Sequence, residues 1–194
     1  MFFCILNVCK SENNNFTLQN LLKKGVSKSD IQNLEEILSF YDDLIVKHSN
    51  LSSIDTGYYK YMENLSTYSS LMELIVAMQK DKNKVDSIID NYKNRDIFYK
   101  IWKKTELRQI STGLTKEELI INIDDLYLIL IDNAIEVSPV LNDYKRILVT
   151  TGGNISPSII AGFQSLRDQV NLQSEIIRLI ISIHYITLIS SSEY

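Results

Sequence analysis

A chain of 194 residues with a formal net charge of −4, 45% hydrophobic and 23% charged side chains, has the make-up of a soluble globular domain. A chain this long buries roughly 70% of the surface its unfolded form exposes, so it needs no disulfide or metal to hold a core. The composition excludes disorder, and the acidic balance excludes bulk electrostatic attraction to nucleic acid or an anionic membrane. Heavy use of isoleucine, asparagine and tyrosine beside few alanines reads as AT-rich coding bias.

The chain opens on an apolar stub, Met1–Cys9, and a polar spacer, Ser11–Asn15. Residues 1–16 therefore stand apart from a single helical domain over 17–194, with a candidate sub-boundary near 80–95. Cys4 and Cys9 lie five apart, which fits neither a redox pair nor a zinc knuckle. The stub is short for a secretory apolar region and lacks a basic start. The expected location is cytoplasmic, with an exported or lipid-anchored form through Cys9 as the alternative. No stretch reaches the roughly 18 apolar residues that cross a bilayer. The nearest, Ile176 to Ile189, contains Arg178 and His184.

A short helix is predicted from Thr17 to Lys24, closed by Gly25. Ser27 or Ser29 caps the next, which runs to about Lys47. Its positions Ile31, Leu34, Leu38, Tyr41, Ile45 and His48 recur in steps of three and four. A loop over Ser49–Gly57 precedes a helix from Tyr58 to about Gln79, striped by Tyr58, Tyr61, Leu65, Tyr68, Met72 and Ile75. The two stripes are expected to pack together, with tyrosine hydroxyls at the rim. Charged, more exposed helices follow at Val85–Lys93 and Asp96–Ile110.

Thr115-Lys-Glu-Glu118 has the form of a capping box and is expected to open the most hydrophobic helix, Lys116–Val137. Apolar over much of its circumference, that helix is placed at the centre. Ser138-Pro139 predicts a helix start through Leu148. Gly152-Gly153 predicts a turn, and Ser156-Pro157 starts a long last helix with a polar joint at Gln173-Ser174-Glu175. No strand alternation of useful length is visible. The expected fold is all-α: an antiparallel bundle of six to eight helices, a hydrophobic central helix near 116–137 and a long C-terminal helix over 157–189.

The search for chemistry is mostly negative. His48 and His184 have neither the glutamate three positions ahead that a di-iron bundle uses nor the paired spacing of a metalloprotease helix. Both are read as structural. Nothing in the spacing selects a nucleophile and base from the cysteines and serines, and the Thr150–Pro157 segment lacks the lysine of a phosphate-binding loop. No catalytic, cofactor or metal residue is expected.

Two charged patterns remain. Glu118, Asp125, Asp132 and Glu136 recur at seven, seven and four residues along the expected central helix, with Asp124 nearby. They are read as a solvated face or a dock for a basic partner. Lys93, Arg95, Lys100, Lys103, Lys104 and Arg108 interleave with Phe98, Tyr99 and Trp102, a mixture that can hold single-stranded nucleic acid. Lys100, Trp102, Lys103, Lys104 and Arg108 are the candidate contacts there.

The leading functional expectation is a non-catalytic helical protein–protein interaction module, an adaptor, inhibitor or accessory protein. The alternatives are a structural component of a secretion, conjugation or virion assembly, and a nucleic-acid-binding accessory protein using 93–108. A protein partner or homo-oligomer is expected ahead of nucleic acid.

Overall fold

The structure is a computed structural model that describes residues 16–49, 53–66, 73, 76, 80–108, 115–155 and 157–191. The Met1–Cys9 stub, Tyr68, Met72, Ile75, Gly113 and the Ser156 cap lie outside the described residues. So do the side chains of His48, Leu65 and Arg108.

The described chain is mostly helical. A 3-10 helix, Leu18–Lys24, leads to α1 (Lys28–Ser49), α2 (Ile54–Ser66), α3 (Lys82–Tyr92) and α4 (Asp96–Ile101). A two-stranded hairpin follows, β1 (Trp102–Arg108) and β2 (Thr115–Ile121). The chain ends with α5 (Leu126–Val137), α6 (Leu141–Thr150), α7 (Pro157–Gln164) and α8 (Glu175–Ser191).

The first signals act as their chemistry requires. Gly25 takes φ 85 and closes the 3-10 helix, its N–H reaching the Leu21 and Leu22 carbonyls. Ser27 Oγ accepts the Asp30 N–H at 3.1 Å and so caps α1. The α1 stripe of Ile31, Leu34, Leu38, Tyr41 and Ile45 is buried. Tyr58, Tyr61 and Met62 of α2 pack beside it. Helix α2 begins at Ile54, so Gly57 lies inside the helix and not at a break.

The segment from Asp96 to Val137 departs from the expectation. The helix predicted to run to Ile110 ends at Ile101, and the chain straightens into β1. Strand β2 pairs antiparallel with it, from Trp102 opposite Ile121 to Arg108 opposite Thr115. Thr115 and Glu118 are thus strand residues and form no capping box. The helix begins only at Leu126, after a turn over 122–125. Tertiary pairing wins here over local helix preference. The hairpin brings the β-favouring Trp102, Ile120 and Ile121 into buried positions, and Ile121 N–H donates to Gly153 O at 3.0 Å. Gly153 has φ 86, and a Cβ there would collide with the Ile121 carbonyl, so glycine lets the α6 turn close on the hairpin.

The centre also lies elsewhere. Helix α8, not 116–137, is the surrounded element: every residue from Ile176 to Ile189 is buried. It packs against α1, α3, α5 and β2. The long helix predicted over 157–189 is two helices, α7 and α8, separated by turns over 165–174. Ser138 closes α5, its N–H on Ala134 O, and α6 starts three residues later.

Candidate functional site

Besides Tyr185, the buried span of α8 carries four polar side chains, and each makes at least one hydrogen bond. Arg178 Nη1 donates to the carbonyls of Leu172 (3.2 Å) and Gln173 (3.1 Å), tying the preceding turn to the helix. Its Nε lies 3.4 Å from Asp42 Oδ1 of α1. Burial pushes the Asp42 carboxyl up, and the facing guanidinium pulls it back. Ser182 Oγ donates to Arg178 O at 2.7 Å and lies 2.9 Å from the Tyr58 hydroxyl of α2. Thr187 Oγ1 donates to Ile183 O and accepts the Trp102 Nε1–H at 2.8 Å.

His184 completes the series. Its Nδ1 is 3.0 Å from the Tyr144 hydroxyl of α6, which in turn sits 3.4 Å from that of Tyr127 in α5. The imidazole stacks on Phe163 with centroids 4.3 Å apart. Burial lowers its pKa to about 3, so the ring is neutral at ordinary pH. Tyr41 and Tyr185 lie parallel beside it, centroids 6.4 Å apart, with Tyr61 edge-on to Tyr185 at 5.6 Å. The Tyr58 hydroxyl therefore points into the core towards α8, where the sequence suggested a rim. Arg178, Ser182, His184 and Thr187 are buried and orient the helices they bond, while Asp42 keeps part of its side chain exposed. Among the described residues, no cluster of three or more His, Cys, Asp or Glu side chains is placed to hold a metal ion.

An accessible concavity lies elsewhere, between the first turns of α2 and the linker ahead of α8. It is an open groove of about 580 Å³ lined by Asp55, Thr56 and Tyr59 on one side and by 167, 168 and 170–173 on the other. The Arg167 guanidinium lies over the Tyr59 ring, 5.6 Å from its centroid, and Nη1 donates to Ser66 Oγ at 2.8 Å. The neighbouring Asp168 carboxylate raises the pKa of the Tyr59 hydroxyl. Asp55, at the α2 start, is held below the usual carboxylate range by its Ser53 hydrogen bond and by backbone donation from Thr56. Leu172 is buried beneath the groove and Val170 half-buried beside it. Sequence reasoning missed this site, because Tyr59 and Arg167 stand far apart in the chain and share no period. The polar joint it noted adjoins the groove at Gln173.

The charged patterns are dispersed. Lys100 pairs with Asp30 at 2.8 Å, Lys103 with Asp124 at 3.1 Å and Lys104 with Glu117. Arg95 pairs with Glu36 at 2.9 Å and lies over the Tyr92 ring, 4.5 Å from its centroid. Of the patch's aromatics, Trp102 is 1% exposed with its indole on Thr187 and Phe98 is also buried, while Tyr99 is exposed. Of the acidic stripe, Glu118 is on β2 and Asp125 in the turn before α5, so the helical spacing does not hold. Asp132 and Glu136 do share α5, paired with Lys145 and Lys24.

No helix among the described residues is long and apolar enough to cross a membrane. Compared with known proteins, the chain matches no family model, no curated protein and no solved structure.

Proposed function

We propose that this chain is a non-catalytic helical interaction module whose partner segment docks in the groove between α2 and the α8 linker. The observation that supports it is the Arg167–Tyr59 stack, seated over buried Leu172 in an open polar groove. Tyrosine and arginine are the side chains that concentrate binding energy at protein interfaces, most of all where apolar neighbours exclude water. An open groove suits an extended polypeptide better than a small ligand, which usually needs enclosure on most sides. Asp168 already pairs with Arg167 at 3.5 Å, and Asp55 at the groove margin favours a segment carrying lysine or arginine. In this reading the helices form an antiparallel bundle gathered around α8, and the bundle holds the groove residues still.

The test is affinity capture with the full chain, read by mass spectrometry, alongside Tyr59→Ala and Arg167→Ala. Each variant should recover the same partner about tenfold less well or worse, with an unchanged melting temperature. Equal recovery by the wild type and both variants contradicts the assignment.

A further inference from the structure

Backbone parity decides what β1 presents to its surroundings. Asn122 N–H donates to Ile101 O at 2.8 Å, so residues 101 and 122 form a hydrogen-bonded pair. Alternation along the ladder makes Lys103–Ile120 and Thr105–Glu118 the next bonded pairs. The N–H and C=O groups of Trp102, Lys104 and Glu106 therefore point away from β2. On the outer edge of β2 two of the equivalent groups are engaged: Ile121 N–H donates to Gly153 O, and Ser191 Oγ–H donates to Leu119 O at 2.7 Å. On β1, the Trp102 N–H is taken by Phe98 O. Lys104 and Glu106 have no outward backbone partner among the described residues.

The side chains are unbalanced in the same place. Glu106 stands directly opposite Glu117, a like-charged facing pair that disfavours the sheet. Lys104 pairs with Glu117, and among the described residues no cation pairs with Glu106. Both Lys104 and Glu106 are exposed.

We propose that β1 pairs with β1 of a second copy of this chain, antiparallel about a two-fold axis at Thr105, to make one four-stranded sheet. Lys104 of each copy then exchanges backbone hydrogen bonds with Glu106 of the other, and each unpaired carboxylate gains a facing ammonium. Parity lets an outward residue face only an outward residue, and an inward one such as Thr105 only an inward one. Sliding the pairing by one permitted step sets Lys104 against Lys104, or Glu106 against Glu106, on the axis. Charge thus selects one register, and the patch is self-complementary as a two-fold interface requires. The pairing also closes an edge that a lone hairpin leaves open and extends a two-stranded sheet that is marginal by itself. This surface is separate from the α2 groove and does not rest on the function proposed for it.

Sedimentation equilibrium of the full chain over a concentration series tests the pairing. The wild type should approach twice its 22.4 kDa mass. Glu106→Pro removes an outward N–H that β2 does not use, and should give a monomer with an unchanged circular dichroism spectrum. Lys104→Glu should also be monomeric, and adding Glu106→Lys to it should restore the dimer. In a Cys4→Ser, Cys9→Ser background, Thr105→Cys should yield a covalent dimer on oxidation, because non-hydrogen-bonded facing pairs bring the Cα atoms to about 4.5 Å. A wild type that stays monomeric overturns the proposal. So does a dimer indifferent to the charge swap, or the absence of a Thr105→Cys cross-link. A monomer whose partner capture still depends on Arg167 would remove the dimer and leave the groove reading intact.

Discussion

Helix α8 and the segment from Trp102 to Val137 are both rich in isoleucine and leucine, yet only α8 is wrapped on every side. In α8 the polar residues are the informative ones: Arg178, Ser182, His184 and Thr187 each find a partner on a preceding turn or a neighbouring element. Such bonds lower the cost of burying a helix all round, since an orphaned polar group costs about 1–3 kcal/mol; His184 Nε2 has no hydrogen-bond partner among the described residues. The 102–137 segment spends its apolar residues differently. Part forms a hairpin leaning on α8, and part forms α5, which keeps Ile129 40% exposed. Apolar content sets how much a segment must bury; the placement of its polar groups sets where.

The largest effect that tests this contrast is cavity formation. Ile183→Ala on α8 should cost about 2–5 kcal/mol in denaturant titration, while Ile129→Ala on α5 should cost less than about 1 kcal/mol. Equal losses would erase the distinction. Gly153→Ala should cost about 3 kcal/mol, because its Cβ meets the Ile121 carbonyl and φ 86 is strained for alanine. A stability unchanged from wild type would mean the α6 turn does not clamp the hairpin.

Acid should also act through α8. His184 has a folded pKa of about 3, below the unfolded value, so the unfolded chain binds the proton first. Its contribution is complete above about pH 6.5 and is lost progressively as pH falls towards 3. By pH 5 the loss is about 2 kcal/mol, and His184→Gln should flatten the melting-temperature profile between pH 6.5 and 5. The smallest effect is Trp102→Phe, which gives up the indole bond to Thr187 and should cost about 1 kcal/mol with the hairpin retained. A cost near zero would show that this bond does not anchor β1.

Local signals were legible where one residue sufficed to enforce them. Gly25 could close the 3-10 helix because only its φ was at stake, and Ser27 could cap α1 because donor and acceptor are three residues apart. The α1 stripe was equally readable, being periodic within one element. Thr115 and Glu118 carried a similar local signal and lost, because the gain from pairing β2 with β1 and docking Ile121 on Gly153 depends on residues distant in sequence. The fourteen buried residues from Ile176 to Ile189 show no stripe, so periodicity gave them no orientation and the centre was assigned to 116–137 instead. The break over 165–174 is marked in the sequence only by the polar joint at 173–175, because apolar runs flank it on both sides. The Tyr59–Arg167 groove was invisible for a related reason, since a site assembled from α2 and a linker leaves no spacing to read.

Native-state hydrogen exchange reports most directly on whether α8 is the hub. The account predicts that amides from Ile177 to Ile189 exchange slowest in the chain, at the rate of global unfolding, with those of α5 opening earlier. Protection greatest in α5 and lost first from α8 would contradict it.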